Sequence, residues 1–130
     1  MPALSDRFRD AALAGDHSAM VDALAPEVVF NSPVAFLPFE GRDAVGQVLG
    51  AVMETFEDFR YTDELAGATA HALVFSARVG EKKVQGIDLL RFDDDGRIRD
   101  FTVLVRPLSA TIALAEAMGP KVAHLKGRAS

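Results

Sequence analysis

Three strands joined by two tight turns, between Leu73 and Val105, constrain this chain more than anything else in it. Leu73, Phe75, Ala77 and Val79 fall at every second position, the period of a half-buried strand. Gly80-Glu81 then supplies a two-residue turn with glycine first, as a type II′ hairpin requires. Lys83 to Phe92 returns as a strand, Asp95-Gly96 offers a second tight turn, and Ile98 to Val105 runs as a third strand before Pro107. Hairpins in succession predict an antiparallel sheet rather than alternating βαβ units.

Alternation also assigns the faces of the middle strand. Val84, Gly86, Asp88, Leu90 and Phe92 share one face, while Lys83, Gln85, Ile87, Leu89 and Arg91 share the other. The first set is the more apolar, so it faces the helices and carries Asp88 inward. A carboxyl group there either stays ionised beside a partner or takes a raised pKa and keeps its proton. Both states suit acid–base chemistry, and both also describe a structural acid paired with an arginine, backbone or buried water. Gly86 leaves space beside Asp88 or marks a bulge.

Upstream, Leu4, Phe8, Ala11 and Ala12 follow helical spacing from Ser5 until Gly15. Asp16 caps a shorter helix bearing Met20, Val21 and Leu24, closed at Ala25-Pro26. Val28, Val29 and Phe30 then read as an edge strand ended by Asn31-Ser32-Pro33. After Gly41, Val45, Val48, Leu49, Val52, Met53 and Phe56 define a third helix. Phe59, Tyr61 and Leu65 alternate with Arg60, Thr62 and Glu64 as a further strand. Ser109 caps a last helix with Ile112, Leu114, Ala115 and Met118, stopped by Gly119-Pro120, and Lys126 to Ser130 is expected to fray. The whole is an α+β chain.

Its 130 residues suit a single domain, 1–130, with one core. A net charge of −5 with interspersed signs gives no footprint for nucleic acid or anionic membrane. The absence of cysteine excludes disulfides, thiol nucleophiles and thiolate metal sites. With charges at Asp6, Arg7, Arg9 and Asp10 in place of an apolar leader, and no long apolar run, a cytoplasmic location is expected. His17, His71 and His124 are scattered without ligand spacing, so no metal is expected, and Asp93, Asp94 and Asp95 read as a solvated turn. Phosphate-loop, dinucleotide and serine-elbow motifs are missing, so no cofactor is expected. Asn31 and Ser32 could reach a ligand or simply make the turn before Pro33, and Tyr61, the single phenol, could donate into a pocket or sit satisfied in the core.

The helix pair joined by Ala14-Gly15-Asp16, the strand ending Asn31-Ser32-Pro33-Val34, the helix after Gly41, and Gly86-Ile87-Asp88-Leu89-Leu90-Arg91-Phe92 with Asp95-Gly96 and Phe101 resemble one family. It is the nuclear-transport-factor-2-like superfamily, in its SnoaL-like and ketosteroid-isomerase-like branch. The resemblance implies a cone: a strongly curved antiparallel sheet wrapped around N-terminal helices, with a C-terminal helix, enclosing an apolar pocket. It implies a small hydrophobic ligand touched by Tyr61, Asn31, Ser32, Phe8, Phe30, Phe56 and Leu90, and a homodimer through the outer sheet face, where Ile87 and Leu89 lie. It matches Asp88 to the oxyanion-hole acid of ketosteroid isomerases, whose chemistry is itself a standard worked example of a carboxylic acid kept neutral. The isomerase base corresponds to Ser32 and its helix-one tyrosine to Phe8, so the full isomerase set is not expected. The resemblance leaves open cofactor-free isomerase-, cyclase- or hydrolase-type chemistry with Asp88 as acid or base, and, as the alternative, plain ligand binding or dimerisation.

Overall fold

A computed structural model describes residues 3–125. The chain runs α1 (Asp6–Ala14), α2 (His17–Asp22), β1 (Leu24–Asn31), β2 (Phe39–Glu40), α3 (Arg42–Thr55), β3 (Glu57–Ala66), β4 (His71–Val79), β5 (Lys82–Phe92), β6 (Ile98–Arg106) and α4 (Leu108–Val122), ending in a 3-10 turn, Ala123–Leu125. The strands form one curved, unclosed sheet in the order β2-β1-β6-β5-β4-β3. Both hairpins form where the turn residues put them, with Gly80 at φ 59° and Gly96 at φ 81°. Asp93 closes the second turn, its Oδ1 accepting from the backbone N–H groups of Asp95 and Arg97 at 2.9 Å each.

Several features differ from the sequence reading. Leu24 does not continue α2: Ala23 ends the helix, the Ile98 N–H donates to its carbonyl at 2.9 Å, and Leu24 pairs with Ile98. β1 therefore begins before Pro26, and the proline falls where the β1–β6 register shifts, a place that needs no ladder N–H. Nor is β1 an edge, because β6 flanks it on one side, in a parallel pairing, and the two-residue β2 on the other. At the far end α4 starts at Leu108 without a side-chain cap and continues through Gly119 and Pro120. Met118, Val122 and Leu125 pack against the core there, and that burial carries the chain past its own stop signal.

A further difference bears on the site. In β3 the register shifts between Tyr61 and Asp63, so Tyr61 opposes Phe75 while Glu64 opposes Leu73 and Leu65 opposes Ala72. The extra residue turns Leu65 out to solvent and brings Glu64 to the inward row, where it accepts from Arg9 of α1 at 2.7 Å. β4 and β5, by contrast, pair residue for residue, and their inward rows are buried as alternation predicts.

The concave face is covered by helices and holds two apolar clusters. One gathers Phe8, Leu24, Phe30, Leu73, Leu90 and Phe101 beneath α1 and α3. The other gathers Phe75, Ala77, Val84 and Leu114 beneath α4. No helix among the described residues is long and apolar enough to cross a membrane.

Candidate functional site

Between the clusters lies a cavity of about 480 Å³, within the range typical of small-molecule sites. One wall is built by Phe8 of α1, Phe30 of β1, Phe39 of β2 and Phe101 of β6, whose rings touch edge-on or tilted at 5.1 to 6.4 Å. The opposite wall is Phe56, Phe59, Tyr61 and Phe75, with Phe59 stacked on Phe75 at 5.1 Å and set edge-on to Tyr61 at 5.0 Å. Met20, Met53 and Met118 line the remainder from the helices.

Asp88 enters this space from the inward row of β5, flanked across the ladder by Leu73 and Val103. It is only 7 % exposed. The Tyr61 hydroxyl donates to its Oδ2 at 3.0 Å. Among the described residues Oδ1 has no hydrogen-bond partner, and it is not sealed in protein. Removal from water disfavours the charged carboxylate and pushes the Asp88 pKa up to about 7, with the Tyr61 hydrogen bond pulling it partly back. Burial and the adjacent carboxyl likewise push the Tyr61 phenol well above its ordinary value, so it remains a donor. Asp88 is thus a group that can hold or release a proton near neutrality.

Gly86 does not leave a gap beside this carboxyl, as the sequence suggested. The Phe75 ring lies over it, and a Cβ at this position would collide with that ring and come within 2.8 Å of the Leu104 carbonyl. The ladder is regular at Gly86, so there is no bulge.

Of the ligand contacts expected from the sequence, Tyr61, Ser32, Phe8, Phe30 and Phe56 line the cavity with Asp88. Asn31 and Leu90 do not. Asn31 follows the inward Phe30, so alternation turns it to the outer face, where its Nδ2 donates to Thr102 Oγ1 at 2.9 Å. Leu90 is fully buried within the first cluster, filling core rather than facing open volume. Ser32 does both jobs weighed for it: its Oγ accepts from the Val34 and Ala35 N–H groups at 3.0 Å each, and it borders the cavity. The sequence reading missed Phe59, Phe75, Met53 and Val103 as lining residues, although strand alternation and helical spacing had already placed all but Val103 on apolar faces.

The described residues hold no group of three potential metal ligands. His17 bonds the Gly46 carbonyl at 2.7 Å, His71 the Ser5 hydroxyl at 3.0 Å, and His124 the Gln47 carbonyl oxygen at 2.6 Å.

A curved sheet around helices, with an aromatic cavity between them that holds one acid–phenol pair, defines a class of small α+β pocket proteins. Within that class the chain belongs to the SnoaL-like domain family, which matches residues 6–101. It is similar to the structure of a steroid delta-isomerase from Pseudomonas aeruginosa, at 42% identity over 98% of both chains with a TM-score of 0.80. It is also similar to an uncharacterized protein with a cystatin-like fold from Silicibacter pomeroyi DSS-3, at 35% identity over 92% of this chain and 85% of that one, TM-score 0.87. A SnoaL-like polyketide cyclase, so described provisionally, from Shewanella denitrificans OS-217 shares the fold at 16% identity, over 87% of this chain and 95% of that one, TM-score 0.66. No curated protein matches the sequence.

Proposed function

We propose that this chain binds a small hydrophobic carbonyl compound in the cavity and moves a proton on it without a cofactor, with Asp88 as the proton-transfer group. One observation carries the reading: Asp88 lines a mostly apolar cavity with one oxygen held by Tyr61 and the other without a hydrogen-bond partner among the described residues. In the ionised state Asp88 takes a proton from the carbon beside the carbonyl. The C–H bond breaks, an O–H bond forms on Asp88, and the electron pair moves onto the carbonyl oxygen as an enolate. Returning that proton to another carbon of the conjugated system completes an isomerisation and restores the carboxylate.

Tyr61 serves both halves of this cycle. It orients the carboxylate first, and once Asp88 is protonated its oxygen is a weaker acceptor, which frees the phenol to donate to the enolate. The 42% identity to a protein described as a steroid delta-isomerase supports proton transfer over other chemistry. Ser32 and Phe8 stand where the resemblance expects an acid and a tyrosine, and a hydroxyl is no base near neutral pH, so the work falls to Asp88.

The test is deuterium incorporation beside the carbonyl of 2-tetralone in D₂O, followed by NMR. Catalysed exchange by the native chain that drops to the buffer rate in Asp88→Asn supports the proposal; equal exchange by both chains defeats it. The presence of a single acid among the described lining residues favours a second reading, ligand storage without turnover. That reading predicts thermal stabilisation by 2-tetralone with no exchange.

The homodimer expected through the outer face has support in Ile87, Leu89 and the half-exposed Leu104, which opposes Ile87 on β6. Sedimentation showing a monomer at all concentrations would remove it.

A further inference from the structure

The cavity has a sign. Among the described residues it is lined by one carboxyl and by no lysine, arginine or histidine. The end that holds Asp88 is walled by aromatic rings: Tyr61 against Phe59 at 5.0 Å, Phe59 stacked on Phe75 at 5.1 Å, and Phe56 on Phe75 at 5.4 Å. Ring faces carry partial negative charge and attract cations, most strongly where water is excluded. Gly86 keeps the Phe75 ring pressed against β5, two residues from Asp88 on the same row. Tyr61 occupies Oδ2, which leaves Oδ1 for a ligand.

We infer that this cavity takes hydrophobic amines in their protonated form, in preference to neutral or anionic compounds of the same skeleton. The ammonium sits on Asp88 Oδ1 beside the Phe59 ring, and the hydrocarbon body fills the rest of the apolar cavity. This rests on the cavity being a ligand site, as proposed above, but not on proton transfer. A buried carboxylate without a protein cation is costly, and a ligand cation removes that cost while its own desolvation is offset by the carboxylate and the ring faces. An anion meets the opposite balance, losing water to face a like charge. A neutral ketone or alcohol gains the apolar burial and one hydrogen bond only.

The experiment is calorimetric titration at about pH 8, where an alkyl ammonium keeps its charge, with 2-aminotetralin, 2-tetralol and tetralin-2-carboxylate. The amine is expected to bind at least about tenfold tighter than the alcohol, and the carboxylate weakest of the three. In Asp88→Asn the amine should fall to the affinity of the alcohol, while the alcohol changes by less than about threefold. An amine no tighter than the alcohol in the native chain overturns the inference, as does an amine preference that survives Asp88→Asn. Should Asp88→Asn lose the alcohol too, Phe59→Leu decides: selective weakening of the amine supports the inference, and equal weakening of both ligands overturns it. Exchange of 2-tetralone on the same samples keeps the two proposals apart. Exchange without amine preference removes this inference alone, and amine preference without exchange removes proton transfer alone.

Discussion

Two buried polar pairs sit two residues apart on the concave face, and only one of them meets open space. His71 of β4 opposes Leu90, and Asp88 of β5 opposes Leu73, so both side chains point inward from adjacent strands. Each makes one hydrogen bond of 3.0 Å, His71 with Ser5 and Asp88 with Tyr61. The His71 ring packs edge-on against Phe92 at 5.1 Å, and neither Ser5 nor His71 borders the cavity. That pair closes a helix end onto the sheet. The Tyr61–Asp88 pair leaves an oxygen uncovered beside about 480 Å³ of apolar volume. Burial and pairing are thus common to a structural contact and a chemical one. Access distinguishes them.

Substitutions can break this contrast. The largest effect is expected in 2-tetralone exchange, where Asp88→Asn should lower the rate by about 10² to 10⁴-fold, the usual worth of a positioned acid or base. Ser5→Ala should leave the same rate within about twofold, and a comparable loss there would erase the distinction.

Stability against pH should test the Tyr61–Asp88 pair next. The folded Asp88 midpoint, about 7, lies above its ordinary value of 3.8, so the folded state holds this proton longer than the unfolded chain. Between those values stability therefore falls as pH rises, and above about pH 7 the penalty is constant. Denaturant titrations should show Asp88→Asn gaining on the native chain across that window, by up to about 4 kcal/mol at its upper end. A difference that does not change with pH would refute a carboxyl whose pKa is raised by burial.

Smallest is the structural pair itself: Ser5→Ala should cost about 1 to 2 kcal/mol in urea unfolding by leaving buried His71 without its partner. No measurable cost would mean that His71 finds another partner or water.

Much of this was legible because the hairpins are local. Turn residues and strict alternation from Leu73 to Phe92 placed Asp88 inward without any structure, and the first helix ended at Gly15 as its sequence signals. What was not legible depends on partners distant in sequence. The bulge beyond Tyr61 leaves no mark in the order Tyr61-Thr62-Asp63-Glu64-Leu65, because it is set by pairing with β4 and by the pull of Arg9 on Glu64. Leu24 reads as helical until Ile98 arrives to pair with it, and α4 outruns Gly119-Pro120 because a core waits beneath Met118 and Val122. The contact between Tyr61 and Asp88 joins two such strands, β3 and β5, across β4. Each residue was a candidate alone, and only the curvature of the sheet brings them together.

The most direct measurement is a carbon-13 NMR titration of the Asp88 carboxyl in the native chain and in Tyr61→Phe. A midpoint near 7 in the native chain, moving higher when the Tyr61 hydrogen bond is removed, is the predicted result. A midpoint near the ordinary carboxylate value, unmoved by Tyr61→Phe, would contradict it.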